Sequence, residues 1–153
     1  MGTWYCLHAS GTAVNLTDTT DETVMRSVTV PGGAPGIHGC VLVWALWSYT
    51  NSATAKTIRV RSGGLTGDII VEIAPTTTAT IITTRVIGMA GSLTSQVSFQ
   101  ASDADGIGTG SSGVTTGGQD YGADVVIAFT GQPGSTSANI NLLRSEVWIL
   151  HAA

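Results

Sequence analysis

The sequence predicts an all-β domain, a sandwich or a barrel, and three observations carry that expectation. Short runs rich in Val, Ile, Thr and aromatic residues recur along the chain. Clusters of Gly, Pro, Asn and Ser separate them and supply turn geometry or break pairing. No window of about eleven residues keeps a 3.6-residue period with helix-forming composition, so no long helix is expected.

Taken in order, the candidate strands are Thr3–Ala9, Thr23–Val30, Gly39–Tyr49, Ala55–Arg61, Asp68–Ala74, Thr80–Met89, Ser92–Phe99, Ala123–Thr130 and Ala138–Leu150. The punctuation between them includes Pro31-Gly32-Gly33-Ala34-Pro35-Gly36, Asn51-Ser52, Gly63-Gly64, Ala90-Gly91 and Gln132-Pro133-Gly134. These nine segments suffice for two packed sheets within one domain spanning residues 1–153. The stretch 101–122 stands apart: rich in Gly, Ser and Thr, it reads as a long loop, the kind that serves as a contact arm or a mobile excursion. No repeat of about 20–50 residues is present, which excludes a solenoid or propeller.

Composition narrows the function. Charged residues make up 10% of the 153 positions, against about 25% in an ordinary soluble domain. With a net charge of −4 and six scattered basic residues, the chain lacks the basic stripe that displaces counterions from nucleic-acid phosphates. Its longest apolar run, Cys40 to Trp47, is eight residues, far short of the roughly 20 of a membrane helix. The N-terminus carries neither a signal-peptide pattern nor a myristoylation signal, so synthesis in a cytoplasm is expected, with Cys6 and Cys40 as reduced thiols.

The run Val41-Leu42-Val43-Trp44-Ala45-Leu46-Trp47 is apolar at both parities. Alternate side chains of a strand point to opposite faces, so both faces must be covered, one by the core and the other by a loop or another chain. A surface with so few charges points the same way.

Candidate chemistry is sparse. Cys6 and His8, and His38 and Cys40, are i, i+2 pairs that share a face of a regular strand, and adjacent strands would make a Cys2His2 zinc site. That spacing matches no zinc finger, and the favoured reading is four ordinary core or edge residues. His151 lies near the end of the chain, where fraying is expected. Gly108-Thr109-Gly110-Ser111-Ser112-Gly113 matches a dinucleotide fingerprint literally but follows no βαβ pattern. Asp103-Ala104-Asp105-Gly106 resembles part of a calcium loop, with Ala101 and Ser112 where the first and last ligands belong. Asp18, Asp21 and Glu22 form an acidic cluster in a Thr-rich loop, and no nucleophile elbow or triad appears, so the chain reads as a non-enzyme without a cofactor. Arg59 and Arg61 bracket Val60 and leave one face together, either to grip carboxylates across an interface or to pair with Glu72 or Glu146 on a solvated sheet.

The segment Ala45-Leu46-Trp47-Ser48-Tyr49-Thr50-Asn51-Ser52-Ala53-Thr54-Ala55-Lys56-Thr57-Ile58-Arg59-Val60-Arg61-Ser62-Gly63-Gly64 resembles a pattern in small tailed-phage virion proteins. There a Trp-Ser strand leads through Thr-Asn-Ser to a Lys-Thr-Ile-Arg strand and a Gly-Gly turn. Ser95-Gln96-Val97-Ser98-Phe99, Gly106-Ile107-Gly108-Thr109 and Phe129-Thr130-Gly131 are similar as well, so the resemblance runs from about Val28 to Leu150.

The resemblance implies a jelly-roll-like antiparallel β-sandwich of about 8–9 strands. It further implies a capsid decoration or cement protein, a homotrimer on the outer surface of the phage head that bridges major capsid protein subunits, with no nucleic-acid or membrane partner. In such a trimer the second face of the Val41–Trp47 strand, with Trp44 and Trp47, packs near the axis or a neighbour. The N-terminal strand with Trp4 and Tyr5, or the 101–122 loop, reaches the capsid. The alternative is a head- or tail-fibre module that binds a host glycan through Trp4, Tyr5, Tyr49 and Tyr121.

Overall fold

The computed structural model describes residues 2–153. Eleven strands occur in the order β1 (Thr3–Ser10), β2 (Val14–Leu16), β3 (Thr23–Val30), β4 (Cys40–Tyr49), β5 (Lys56–Ser62), β6 (Asp68–Ile73), β7 (Thr80–Ser92), β8 (Ser95–Ser98), β9 (Thr115–Gly117), β10 (Val125–Pro133) and β11 (Ile140–His151). All nine expected segments are strands. The two additional ones, β2 and β9, are three residues each, too short for an alternating pattern to show. Ala90-Gly91, expected to separate two strands, instead lies inside β7, where positive-φ Gly91 marks an irregularity before the short β7–β8 connection. No helix among the described residues is long and apolar enough to cross a membrane.

Two antiparallel sheets form a sandwich. A seven-stranded sheet runs β1-β11-β4-β7-β8-β9 with β2 paired to β11, and a four-stranded sheet runs β3-β10-β5-β6. Strands from the two halves of the chain interleave, β1-β11-β4-β7 facing β3-β10-β5-β6, which is the double Greek-key order of a jelly roll.

The core follows from strand parity. From β4, Val41, Val43, Ala45, Trp47 and Tyr49 point between the sheets, meeting Ile58 and Val60 of β5 and Ile127 and Phe129 of β10. Trp47 is fully buried; its indole N–H donates to the Thr83 hydroxyl at 2.9 Å and its ring lies 6.4 Å from that of Phe129. Tyr121 is also fully buried, its hydroxyl 2.7 Å from that of Ser62, and burial pushes its pKa up to about 12.

Two charged side chains, Lys56 and Arg85, are almost wholly buried. Lys56, the single lysine of the chain, is fully buried and donates from Nζ to the carbonyls of Thr50 (2.7 Å), Thr76 (2.9 Å) and Ser52 (3.0 Å) and to the Ser52 hydroxyl (3.2 Å). One ammonium thereby ties the β4–β5 connection to the β6–β7 connection, and burial lowers its pKa. Arg85, inward on β7, donates to the carbonyls of Ile70 (3.1 Å) and Asp103.

Candidate interaction surface

The outer faces of the two sheets differ in chemistry. On the four-stranded sheet, Glu22 accepts from Arg61 through both oxygens, at 2.8 Å each, lies 3.1 Å from Arg59 Nη1 and accepts from the Thr130 hydroxyl at 2.6 Å. Arg59 also donates to Glu72 at 2.5 Å and to Gln132 at 3.0 Å, and Arg61 to the Gly67 carbonyl at 3.0 Å. Burial pushes the Glu22 carboxyl up, but the hydrogen bonds of Arg61 and Thr130 and the charges of both arginines outweigh it and hold its pKa below the ordinary value. The arginines are therefore engaged within the chain. Glu72 is one of the two partners expected from sequence; the other is Glu22, the end of the acidic cluster, and not Glu146.

On the seven-stranded sheet the outward positions carry many large apolar side chains, clustered toward the middle of the sheet and the β1 edge. Trp4 of β1 lies opposite Leu150 of β11, Trp148 opposite Leu42 of β4, and Leu42 opposite Val86 of β7. Trp44 sits between Glu146 and Thr84, Leu46 between Arg144 and Ile82, and Val97 of β8 opposite Gly88. Trp4, Ile82, Val86 and Val97 are 51%, 47%, 46% and 41% exposed, and Leu42, Trp44, Leu46, Trp148 and Leu150 are partly exposed. The ionic groups here are Arg144 and Glu146, which pair at 2.6 Å. Glu146 also accepts from the Trp148 indole at 2.9 Å; hydrogen bonds from Trp148 and Arg144 hold its pKa low against a smaller opposing effect of burial. Exposed apolar side chains grouped in this way make the outer face of this sheet the candidate interaction surface.

Of the residues singled out from sequence, Trp4 and Trp44 are on this surface, whereas Tyr5, opposite the core residue Ile149, is turned to the other side of β1 and exposed at the sheet edge. Trp47 is a core residue with no part in it, because odd and even positions of β4 face opposite ways. Tyr49 and Tyr121 are likewise buried, so they do not join Trp4 and Tyr5 in a sugar-stacking face. Ile82, Val86, Val97, Trp148 and Leu150 were missed. The doubly apolar β4 run signalled the face, but only its pairing with β11 and β7 shows how far it extends.

The two Cys/His pairs, Cys6 with His8 and His38 with Cys40, do not come together. A bulge at Leu7 sets Cys6 opposite Trp148 on the outer face and His8 opposite Val147 on the inner one, so the i, i+2 pair is split. Burial, then the charge of Arg26, lowers the His8 pKa. His38 precedes β4 in an exposed turn, and no group of three His, Cys, Asp or Glu side chains converges among the described residues. Asp103 Oδ1 accepts the backbone N–H groups of Asp105 (2.9 Å) and Gly106 (3.0 Å), serving the loop as a turn cap. His151 is not frayed: it ends β11, with Nδ1 2.8 Å from the Ala34 carbonyl.

The span 101–122 is an arm with fixed roots. The Glu72 N–H donates to the Ala101 carbonyl at 2.8 Å and the Thr84 N–H to that of Ala104 at 2.9 Å. Arg85 holds Asp103 from below. Gly106, at φ 65°, passes so close to the Thr84 carbonyl and the Arg85 guanidinium that a Cβ would collide with both. On the return side, Gln100 Oε1 accepts the Ser112 N–H at 2.7 Å, and β9 pairs with β8. Ile107, before the Ser112 anchor, and Val114, between that anchor and β9, are 74% and 68% exposed, the most exposed large apolar side chains described.

No protein-family model matches the sequence, and no curated protein matches it. Among solved structures, the chain is similar to the CBM2 module of Lactobacillus casei BL23 phage J-1 evolved Dit, with TM-score 0.40 and 12% identity over 83% of this chain and 69% of that one. It is also similar to a structure of infectious bursal disease virus Gx strain, with TM-score 0.31 and 8% identity over 97% of this chain and 40% of the viral one. A third similarity is to a structure described as "CBM4 structure and function", with TM-score 0.30 and 12% identity over 92% and 94% of the two chains.

Proposed function

We propose that this protein is a non-enzymatic capsid decoration (cement) protein of a tailed bacteriophage, a homotrimer on the outer surface of the head that bridges major capsid subunits. The observation that carries the reading is the apolar outer face of the seven-stranded sheet, which a protein working alone in water has no use for. Together with the resemblance of the Ala45–Gly64 segment to phage virion proteins, it favours a life spent in an assembly. Self-association covers the centre of the face; the unpaired edge of β1, with Trp4 and Tyr5 exposed, reaches the capsid. Binding only to the expanded shell stabilises that shell by mass action, and three copies engaging together multiply weak contacts through effective concentration. No cofactor is needed, and the partners are protein surfaces, not nucleic acid or membrane.

The test is to mix the purified protein with capsids lacking it and image them by cryo-electron microscopy. Ordered density at threefold or quasi-threefold positions is expected, and it should disappear with Trp4→Ala/Tyr5→Ala. Bare capsids with the unaltered protein would sink the reading. A second reading, a fibre module binding a host surface glycan, draws on one feature: Trp4, Trp44 and Trp148 share the outer face with the Glu146 carboxylate. Glycan-array binding lost on Trp4→Ala, with no capsid attachment, would replace the first reading by the second.

A further inference from the structure

One sheet ends at β6 and the other at β9, and where the arm passes between these end strands it leaves a groove of about 380 Å³. Three segments wall it: β6 with Ile69 and Glu72, the outgoing root of the arm from Gln100 to Ser102, and the returning chain with Ser112 and Thr115. The walls are tied to one another pairwise. The Glu72 N–H donates to the Ala101 carbonyl at 2.8 Å, joining β6 to the outgoing root. Gln100 Oε1 accepts the Ser112 N–H at 2.7 Å, joining the outgoing root to the return. The Gly118 N–H donates to Asp68 Oδ2 at 3.0 Å, joining the return to β6. The groove is thus built before anything enters it, which spares a ligand the cost of ordering it.

Its polar lining is largely unspent. Gln100 is only 9% exposed, and with Oε1 given to Ser112 its Nε2 is left unpartnered among the described residues yet not sealed from solvent. Glu72 gives Oε2 to Arg59 and keeps Oε1. The hydroxyls of Ser102, Ser112 and Thr115 hold no partner among the described residues. We propose that this groove binds a neutral saccharide, with Gln100 Nε2 donating to one sugar hydroxyl and Glu72 Oε1 accepting from another. The set combines a pure donor, a pure acceptor and three groups that do either, and a sugar hydroxyl, itself both donor and acceptor, answers all of them. An apolar molecule would strip these groups of water and leave them unpaired. The one ionisable side chain in the lining is the Glu72 carboxylate, so a phosphate, sulfate or uronate would meet like charge with no basic lining group to offset it. A peptide adding as a strand finds the edge of β6 taken, the Glu72 N–H by Ala101 and the Ile70 carbonyl by Arg85. Ile69 supplies apolar surface for the C–H face of a sugar ring, and the volume lies in the range of small-molecule sites. The groove is separate from the tryptophan-bearing outer face, and the inference depends neither on capsid attachment nor on glycan contact through Trp4.

The test is titration of the isotope-labelled full chain with glucose, galactose, mannose and N-acetylglucosamine, followed by NMR. At least one should shift the Gln100 side-chain amide and the Ser112 and Thr115 N–H signals with a Kd of the order of millimolar. Glucuronate and galacturonate should bind at least about tenfold more weakly, and Glu72→Gln should narrow that gap. Ser112→Ala/Thr115→Val removes two hydroxyls that the fold does not use, so the rest of the spectrum should persist while affinity falls about tenfold. Absence of shifts at the groove with all four sugars overturns the inference, as do shifts confined to the indoles of Trp4, Trp44 and Trp148. Uronates that bind as well as the neutral sugars, or a doubly substituted chain that binds like the parent, overturn it too. None of these outcomes bears on capsid attachment, which imaging of capsids reads by itself.

Discussion

The two sheets of this sandwich solve the same problem, an outer surface, in opposite ways. The four-stranded sheet covers itself with Glu22, Glu72, Arg59 and Arg61, whose charges are satisfied inside the chain. The seven-stranded sheet leaves Trp4, Ile82, Val86 and Val97 bare and confines its ionic groups to one pair. The difference shows that a scarcity of charge need not be uniform: four paired charges close the outer face of the small sheet, and the large sheet carries one pair amid exposed apolar side chains. Arginines that look like interface residues in sequence are here the mark of a face already closed.

Substitutions on opposite sides of one strand break this comparison most sharply. Trp47→Ala should cost about 3–5 kcal/mol in urea unfolding, since it empties the core and abandons the Thr83 hydroxyl. Trp44→Ala, three residues earlier and on the outer face, should cost about 1 kcal/mol in the isolated chain and act mainly on association. Comparable losses would mean that the outer face is part of the fold rather than a docking surface. A smaller effect is expected on the opposite sheet, where Glu22→Ala removes the shared acceptor of two arginines and should lower stability by about 2 kcal/mol, read as a shift of the denaturation midpoint at unchanged slope.

The smallest effect is in pH. The folded-state pKa of Glu22 lies below its unfolded value, so the folded state binds fewer protons between the two. Its contribution is complete above the unfolded value near 4.5 and is lost as the pH falls through the lowered one. Acid titration of Glu22→Gln should therefore show a shallower decline below pH 4.5 than the parent. Equal slopes would assign acid sensitivity to other groups, Glu146 first.

Strand positions were legible because β-branched runs and glycine punctuation are local signals. Every expected segment became a strand, and the doubly apolar β4 announced a covered second face. What stayed hidden depended on pairing. The bulge at Leu7 cannot be read from alternation and splits Cys6 from His8. Glu22 is 37 positions from Arg59 in the chain, and only the path of the 17–22 segment across the small sheet brings them together. The arm read as one long loop because its anchors are not marked by local pattern: Arg85 lies on β7, and Gln100, just before the arm, reaches across to the Ser112 N–H. Val97 and Trp148 look like ordinary strand residues until the sheet order places them on one surface.

The cage around Lys56 has a practical corollary. It holds the only side-chain amine in these 153 residues, and its Nζ is enclosed by three carbonyls and a hydroxyl with no exposed surface. An acylating reagent such as a succinimidyl ester reacts only with a free, deprotonated amine, so Lys56 becomes modifiable only when the loops that enclose it separate. The rate of its acylation is then a clock for that opening, and in a closed assembly the clock should run slower than in the isolated chain, giving a count of how tightly each copy is held.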